Sequence, residues 1–236
     1  MDGAQRNERL DPVGGLKATP QALMLFGAPG SGKGTAGKIV AEQLNLPHIS
    51  TGDLLRAHVT AADEVGLRVK NLMGAGRLVP DDLVNWMVLE RTAEEDCRRG
   101  FILDGYPRTI DQAKVLVGVL SLRGVTPVVI HLKVDYNRIT VRMAGRRTCA
   151  KCGAVYNIAS RPPKLDGKCD LDGSALALRE DDSEDVVRAR LESYDRVTKP
   201  LEEYFKTAVS RLYSVDGNEG SPLEIAERIR ELAGKG

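Results

Sequence analysis

Residues 22–35 read ALMLFGAPGSGKGT, an apolar run leading into a glycine-rich turn and a lysine. The apolar run predicts a buried strand, and KGTAGKIVAEQL after the turn predicts a helix. A glycine-rich loop at such a junction binds phosphate because consecutive backbone N–H groups, unhindered by Cβ atoms, converge on an anion at the helix N-terminus. The phosphate-loop pattern GxxxxGK[ST] is met by Gly27, Gly32 and Lys33, but Gly34 stands where a metal-binding hydroxyl belongs, and Thr35 follows one residue late. The competing reading, an ordinary glycine-rich turn, explains neither the lysine nor the strand before it. Gly27, Gly30, Ser31, Gly32, Lys33, Gly34 and Thr35 are therefore candidate phosphate contacts, with Lys33 reaching the outer phosphates.

Outward from this loop, FILD (101–104), VVIHLKV (128–134) and LYSVD (212–216) also predict strands. Helical patterns cover about 33–44, 53–59, 82–98, 109–122, 135–146, 183–210 and 222–233. Strands alternating with helices predict an α/β fold built on a central parallel sheet. Two stretches break the rhythm. One runs from Asp53 to Pro80 and is helical without an obvious strand; the other, about 148–180, is rich in turn formers with short β-like pieces. The predicted arrangement is one domain over 21–236, with an inserted helical flap at about 50–80 and a small lid at about 147–184. A polar extension over 1–20, predicted to be disordered, precedes it.

The chain has 236 residues, enough for one sizeable core with a small satellite. Lys and Arg total 34 against 33 Asp and Glu, so a nucleic-acid binder relying on bulk positive charge is not indicated. No apolar run approaches the roughly 18 to 20 residues needed to cross a bilayer, which predicts a soluble protein. The first twenty residues resemble neither a secretory signal nor an organellar transit peptide.

Cys97 stands alone, whereas Cys149, Cys152 and Cys169 fall in one short segment. Cys149 and Cys152 form CxxC, and Cys169 with Asp172 repeats the spacing as CxxD, the pattern of two turns that share a tetrahedral zinc ion. Reduced structural cysteines or a redox pair compete with this reading, and Asp170 is a rival oxygen ligand. Four protein ligands leave no open position, so such a zinc would be structural.

The blocks GAPGSGKGT, HISTGDLLR (48–56) and FILDGYPRTIDQA (101–113), with GRR (145–147), REDD (179–182) and RARL (188–191), together resemble the adenylate kinase family from about residue 22 to the C-terminus. The resemblance implies a P-loop three-layer fold with a central parallel sheet, a helical AMP-binding flap and a zinc-bearing lid. It implies reversible transfer of a phosphoryl group from ATP to AMP, giving two ADP. The family also carries glycine after the lysine. Asp104, otherwise readable as a turn-forming residue before Gly105, would then hold Mg2+ through the metal's own waters.

Arg56, Arg108, Arg142, Arg146, Arg179 and Arg190 all lie in or beside these blocks. Singly each reads as a solvated surface residue; together they form an inventory for phosphoryl transfer, which depends on positioning and charge stabilisation. Lys33, Asp104 and the arginines other than Arg56 are the expected catalytic groups. Thr51, Arg56, Arg108 and Gln112 are the expected AMP contacts, with Thr51 and Gln112 choosing the base. Thr51 also reads as a helix cap and Gln112 as an exposed helical residue, while Asp53 is the expected N-cap.

His48, His58 and His131 show no nucleophile or metal spacing, and Trp86 lies on an apolar helical stripe read as core. The cofactors implied are Mg2+ and structural Zn2+, and the partners ATP, AMP and ADP. No nucleic acid or membrane partner is expected, and the chain reads as a cytoplasmic monomer. Alternatives are a GTP-preferring relative, a kinase for another nucleoside monophosphate, or, from a different class, a zinc-ribbon nucleic-acid module joined to a P-loop. The low aromatic content disfavours the last.

Overall fold

The computed structural model describes residues 19–235; the expected extension over 1–20 lies almost wholly outside them. Strand β1 (Gln21–Phe26) sits at the middle of a five-stranded parallel sheet. Its neighbours are β3 (Gly100–Asp104) and β4 (Thr126–Lys133), flanked by β2 (His48–Ser50) and β8 (Leu212–Asp216) in the order β2-β3-β1-β4-β8. Alternation along β1 separates two layers. Ala22, Met24 and Phe26 face one core, while Leu23 and Leu25 face another that includes Val40, Ile225 and Ile229. Helices α1 (Lys33–Leu44) and α9 (Pro222–Ala233) cover the second face. Helices α4 (Asp81–Arg91), α5 (Ile110–Arg123) and α8 (Leu201–Ala208) cover the first. A parallel sheet buried on both faces yields the near-continuous apolar strands legible in the sequence.

The phosphate loop leaves the C-terminal edge of β1, where ligands bind in open α/β sheets. Between β2 and α4 stand two helices packed on each other, α2 (Thr51–Ala61) and α3 (Glu64–Gly74), and no strand. Between α6 (Tyr136–Ala144) and α7 (Glu184–Ser193) lies a small antiparallel sheet. It comprises β5 (Arg146–Cys149), β6 (Val155–Asn157) and β7 (Leu176–Ala177) in the order β6-β5-β7. No described helix is long and apolar enough to cross a membrane.

Some expectations need correction. The helix expected over 82–98 stops at Arg91, whose guanidinium folds onto Asp96 at 2.7 and 2.9 Å, and a 3-10 turn follows at Glu95–Arg99. The helix expected over 183–210 is interrupted. Pro200 has no N–H to donate, and the chain widens into a π turn at Tyr194–Thr198, with Lys199 N–H reaching Tyr194 O at 2.8 Å. Trp86 is not core: it is 51% exposed, because Val84, Met87 and Val88 form the buried stripe and Trp86 projects from the opposite side. The cap of α2 is Ser50, which accepts the Asp53 N–H at 3.3 Å; Asp53 lies in the first turn instead.

Candidate active site

Helix α1 begins at Lys33 with Gly32 as its cap residue, no capping side chain and no acidic residue in its first turn. Its N-terminal N–H groups are thus left for an anion. Gly27, at the loop entrance with φ 145°, has no room for a side chain: a Cβ there would meet Leu132 O at 2.4 Å. Gly30 packs against Met143 and Ile139, and Ser31 is fully buried. Lys33 Nζ donates to Gly27 O and Ala28 O, both at 2.8 Å, and to Ser31 Oγ at 3.3 Å, so the ammonium stands inside the curl of the loop. Burial of that ammonium lowers its pKa to about 8, against the opposing pull of Asp104.

The geometry explains the glycine after the lysine. A Cβ at Gly34 would lie 2.9 Å from Asp104 Oδ2. Asp104 ends β3, pairs with Leu25 of β1 in register, and aims its carboxylate into the first turn of α1. A carboxylate therefore fills the region to which a serine or threonine at position 34 would add its hydroxyl. Thr35 follows, half-buried, in that same turn. His48 Nε2 lies 3.8 Å from Asp104 Oδ2, and burial first of all keeps the imidazole's pKa below its ordinary value.

The arginines converge from separate elements. Arg142 on α6 donates to Ser31 O at 3.2 Å and Gly217 O at 2.8 Å, bracing the loop from outside. Arg146 on β5 grips Asp182 through Nε at 2.6 Å and through a second bond from Nη2. Arg190 on α7 donates to Asp181 Oδ2 at 3.0 Å and approaches Asp182 Oδ1 at 3.4 Å. Arg179 donates to Thr148 Oγ1 at 2.9 Å, and Arg108 Nε to Gly105 O at 2.8 Å. Burial lowers the Arg179 and Arg190 pKa values to about 10, and crowding with other arginines adds to this: Arg56 and Arg146 for Arg179, Arg146 and Arg108 for Arg190. Burial lowers Arg108 too. Cations held this close together favour an incoming polyanion.

Asp181 and Asp182, the acidic end of the REDD block, join the site although the motif singles out only its arginine. Burial works against the Asp181 charge, but Arg190, Arg56 and Arg179 hold its carboxyl below the usual range. The two aspartates thus stand between the arginines and space them. Arg56 on α2 reaches Asp53 at 2.5 Å and Asp181 at 3.9 Å, joining the helical insert to the end of the small sheet.

Beside these cations a cleft is lined by Thr51, Leu55, Val79, Arg108, Gln112 and Asp181, among others. Thr51 Oγ1 donates to Gly105 O at 2.9 Å. Gln112 is not an exposed helical residue: it is 3% exposed. Its Oε1 accepts the Arg108 N–H at 2.7 Å, and its Nε2 donates to Asp81 Oδ1 at 2.8 Å.

At the far end, Cys149, Cys152, Cys169 and Asp172 bring one ligand atom each to within 4.8 Å of one another, a group that could hold a metal ion. Cys149 Sγ lies 3.4 Å from Asp172 Oδ2, and Cys152 Sγ 3.5 Å from Cys169 Sγ. The Ser174 N–H holds the Asp172 carboxyl well below its ordinary pKa. The rival Asp170 instead accepts the Lys164 N–H at 2.8 Å, which removes it from the cluster.

A glycine-rich loop at an uncapped helix N-terminus, a convergent set of arginines and a cleft beside them are features that transfer between two nucleotides demands, and comparison with known proteins agrees. The family model described as Adenylate kinase matches residues 25–210. A protein named adenylate kinase from Thermosipho africanus is 46% identical over 211 residues, 89% of this chain and 96% of that relative. Another of the same name from Clostridium acetobutylicum is 42% identical over 214 residues, 90% of this chain and 99% of the relative. With most of both chains aligned and the phosphate loop inside the matched region, this chain belongs to the adenylate kinase family.

Proposed function

We propose the residue roles by which this chain catalyses ATP + AMP to 2 ADP, the reaction of its family. The single observation that carries them is the junction of an uncapped α1 N-terminus, Lys33 inside its loop, and half-buried arginines from β5, α7 and the Pro107–Arg108 turn. The loop from Gly27 to Thr35 binds the donor phosphates, Lys33 moving its charge from backbone carbonyls to the outer phosphates. Arg108, Arg146, Arg179 and Arg190 clamp the transferred group. Arg142 holds the loop. Such fixed donors act where charge is spread over the phosphoryl oxygens, and no proton-abstracting side chain is needed to explain the rate.

Thr51, Arg56, Arg108 and Gln112 line the acceptor side. The segment at about 50–80 forms the flap over AMP and that at about 147–184 the lid over ATP, their approach excluding water. Asp104, aimed at the loop beside Gly34, fits an Mg2+ held through water, and Mg2+ supplies neutralisation of phosphate charge when bound.

For the lid, three thiols and one carboxylate suit zinc: bonds of about 2.3 Å to sulfur set tetrahedral ligand atoms about 3.7 Å apart, near the 3.4 Å between Cys149 and Asp172 and the 3.5 Å between Cys152 and Cys169. Cys149, Cys152, Cys169 and Asp172 would hold it as a structural cross-link. We read the chain as a cytoplasmic monomer with no nucleic-acid or membrane partner. A coupled assay of each nucleoside monophosphate against ATP and GTP tests the reaction: the expected preference is ATP with AMP, and a preference for GTP or a pyrimidine monophosphate would overturn it.

A further inference from the structure

The amide of Gln112 can present two patterns to the cleft, depending on which way round it stands. It has two N–H donors on Nε2 and two lone pairs on Oε1. The protein takes one of each: the Arg108 N–H, which can only donate, occupies Oε1, and the Asp81 carboxylate occupies Nε2. One N–H and one lone pair remain for a base. An adenine edge carries an amino donor at C6 beside an acceptor at N1, and this pairs with an amide in the observed orientation. A 6-oxopurine carries the reverse pattern, an acceptor at C6 beside an N1–H donor. To pair with it the amide would have to rotate by half a turn, putting Oε1 against the Asp81 carboxylate and Nε2 against the Arg108 N–H.

We propose that Asp81 is a positioning residue that locks the Gln112 amide in the orientation that reads a 6-aminopurine and rejects a 6-oxopurine. This rests on the reading of Gln112 as a contact to the acceptor base. Asp81 is itself held: its second oxygen accepts the hydroxyl of Thr109 at 2.5 Å, and Thr109 caps α5 by accepting the Gln112 N–H at 3.1 Å. The carboxylate, the cap and the amide therefore form one closed set of bonds at the meeting point of the first turns of α4 and α5. Tyr106 touches the set, its hydroxyl standing 3.4 Å from Gln112 O while donating to Asn85 Oδ1 at 2.6 Å. Two one-way partners fix the polarity, the Arg108 N–H, which only donates, and the Asp81 carboxylate, which only accepts; an amide at position 81 removes the second of them, because it could turn with Gln112 and keep Thr109 bonded, and leaves one mismatch where there were two.

The test compares AMP with inosine 5′-monophosphate, which differs only at the edge in question, in wild type, Asp81→Asn, Asp81→Glu and Gln112→Ala. In Asp81→Asn, the ratio of kcat/KM for inosine monophosphate to that for AMP should rise about tenfold, the effect of one mismatched hydrogen bond removed, mainly through KM. Asp81→Glu, still acceptor-only, should keep the wild-type ratio at a reduced rate. Gln112→Ala should lower AMP use more than inosine monophosphate use. An unchanged ratio in Asp81→Asn with a shifted one in Gln112→Ala would overturn the lock while leaving Gln112 as the base contact. Unchanged ratios in both would overturn the base contact itself, and the lock with it. If Asp81→Asn fails to fold, Asp81→Ser gives the same reading, since a hydroxyl both donates and accepts.

Discussion

Gly34 and Lys33 show how much a single position can carry. A side chain at Gly34 must displace Asp104 Oδ2, the tip of a movable carboxylate, so the chain should tolerate substitution in folding while losing alignment at the site. Gly34→Ser, which restores the hydroxyl of the common phosphate-loop pattern, is therefore expected to lower kcat at least about tenfold and raise the Mg2+ needed for half-maximal rate, with little change in melting temperature. Equal or higher activity would remove Asp104 from the metal's surroundings. Lys33 makes a second test through pH. Between about pH 8 and 10.5 the unfolded chain holds this proton and the folded chain has lost it, so the stability contribution of Lys33 rises with pH across that window. ATP affinity should fall over the same range as the ammonium discharges. Denaturant melts of wild type and Lys33→Met at several pH values check the sign; a difference that stays constant from pH 8 to 10.5 contradicts the lowered pKa.

Among the elements, the small sheet between α6 and α7 depends most on something other than packing. Among the described residues its buried cluster comprises Cys149, Tyr156 and Cys169, with Ala154 and Leu176 against it, far too little apolar surface to hold a fold of that length. Cys149→Ser or chelation is expected to lower the melting temperature by several degrees while activity at low temperature partly survives. Asp172→Cys should retain metal. Elemental analysis of protein purified under reducing conditions without chelator, showing no zinc, would contradict the assignment. Elements with strong local signals were legible in the sequence: α1 and α9 have their expected limits, the latter with Ser221 and Glu224 closing a capping box. Strand β2 was missed because three residues are too few for a period to show. The break before α8 turns on Pro200, which the apolar pattern of 183–210 overrode. Trp86 was misplaced by phase, a slip of two residues along a helix being enough to reverse the face.

The whole molecule places its charges by topology, and this is what no stretch of sequence displays. Motif reading found the arginines, since each lies in or beside a recognisable block, but not their partners Asp181 and Asp182, whose carboxylates matter only once α7 folds back over β5. Nor could it find Asp81, 31 positions from the Gln112 it bonds. The chain is nearly neutral overall, yet Lys33, Arg108, Arg146, Arg179 and Arg190 are gathered close enough for neighbouring cations among them to help lower the pKa values of Lys33, Arg179 and Arg190. The central claim is that this gathering, rather than a general base, carries phosphoryl transfer. The most direct measurement is the turnover of Lys33→Met and Arg108→Ala in a coupled ADP-forming assay, with melting temperatures taken on the same samples. Loss of one fixed donor at a developing charge is expected to cost about two to three orders of magnitude in kcat, with folding nearly unchanged. Turnover within a few-fold of wild type in both well-folded variants would contradict it.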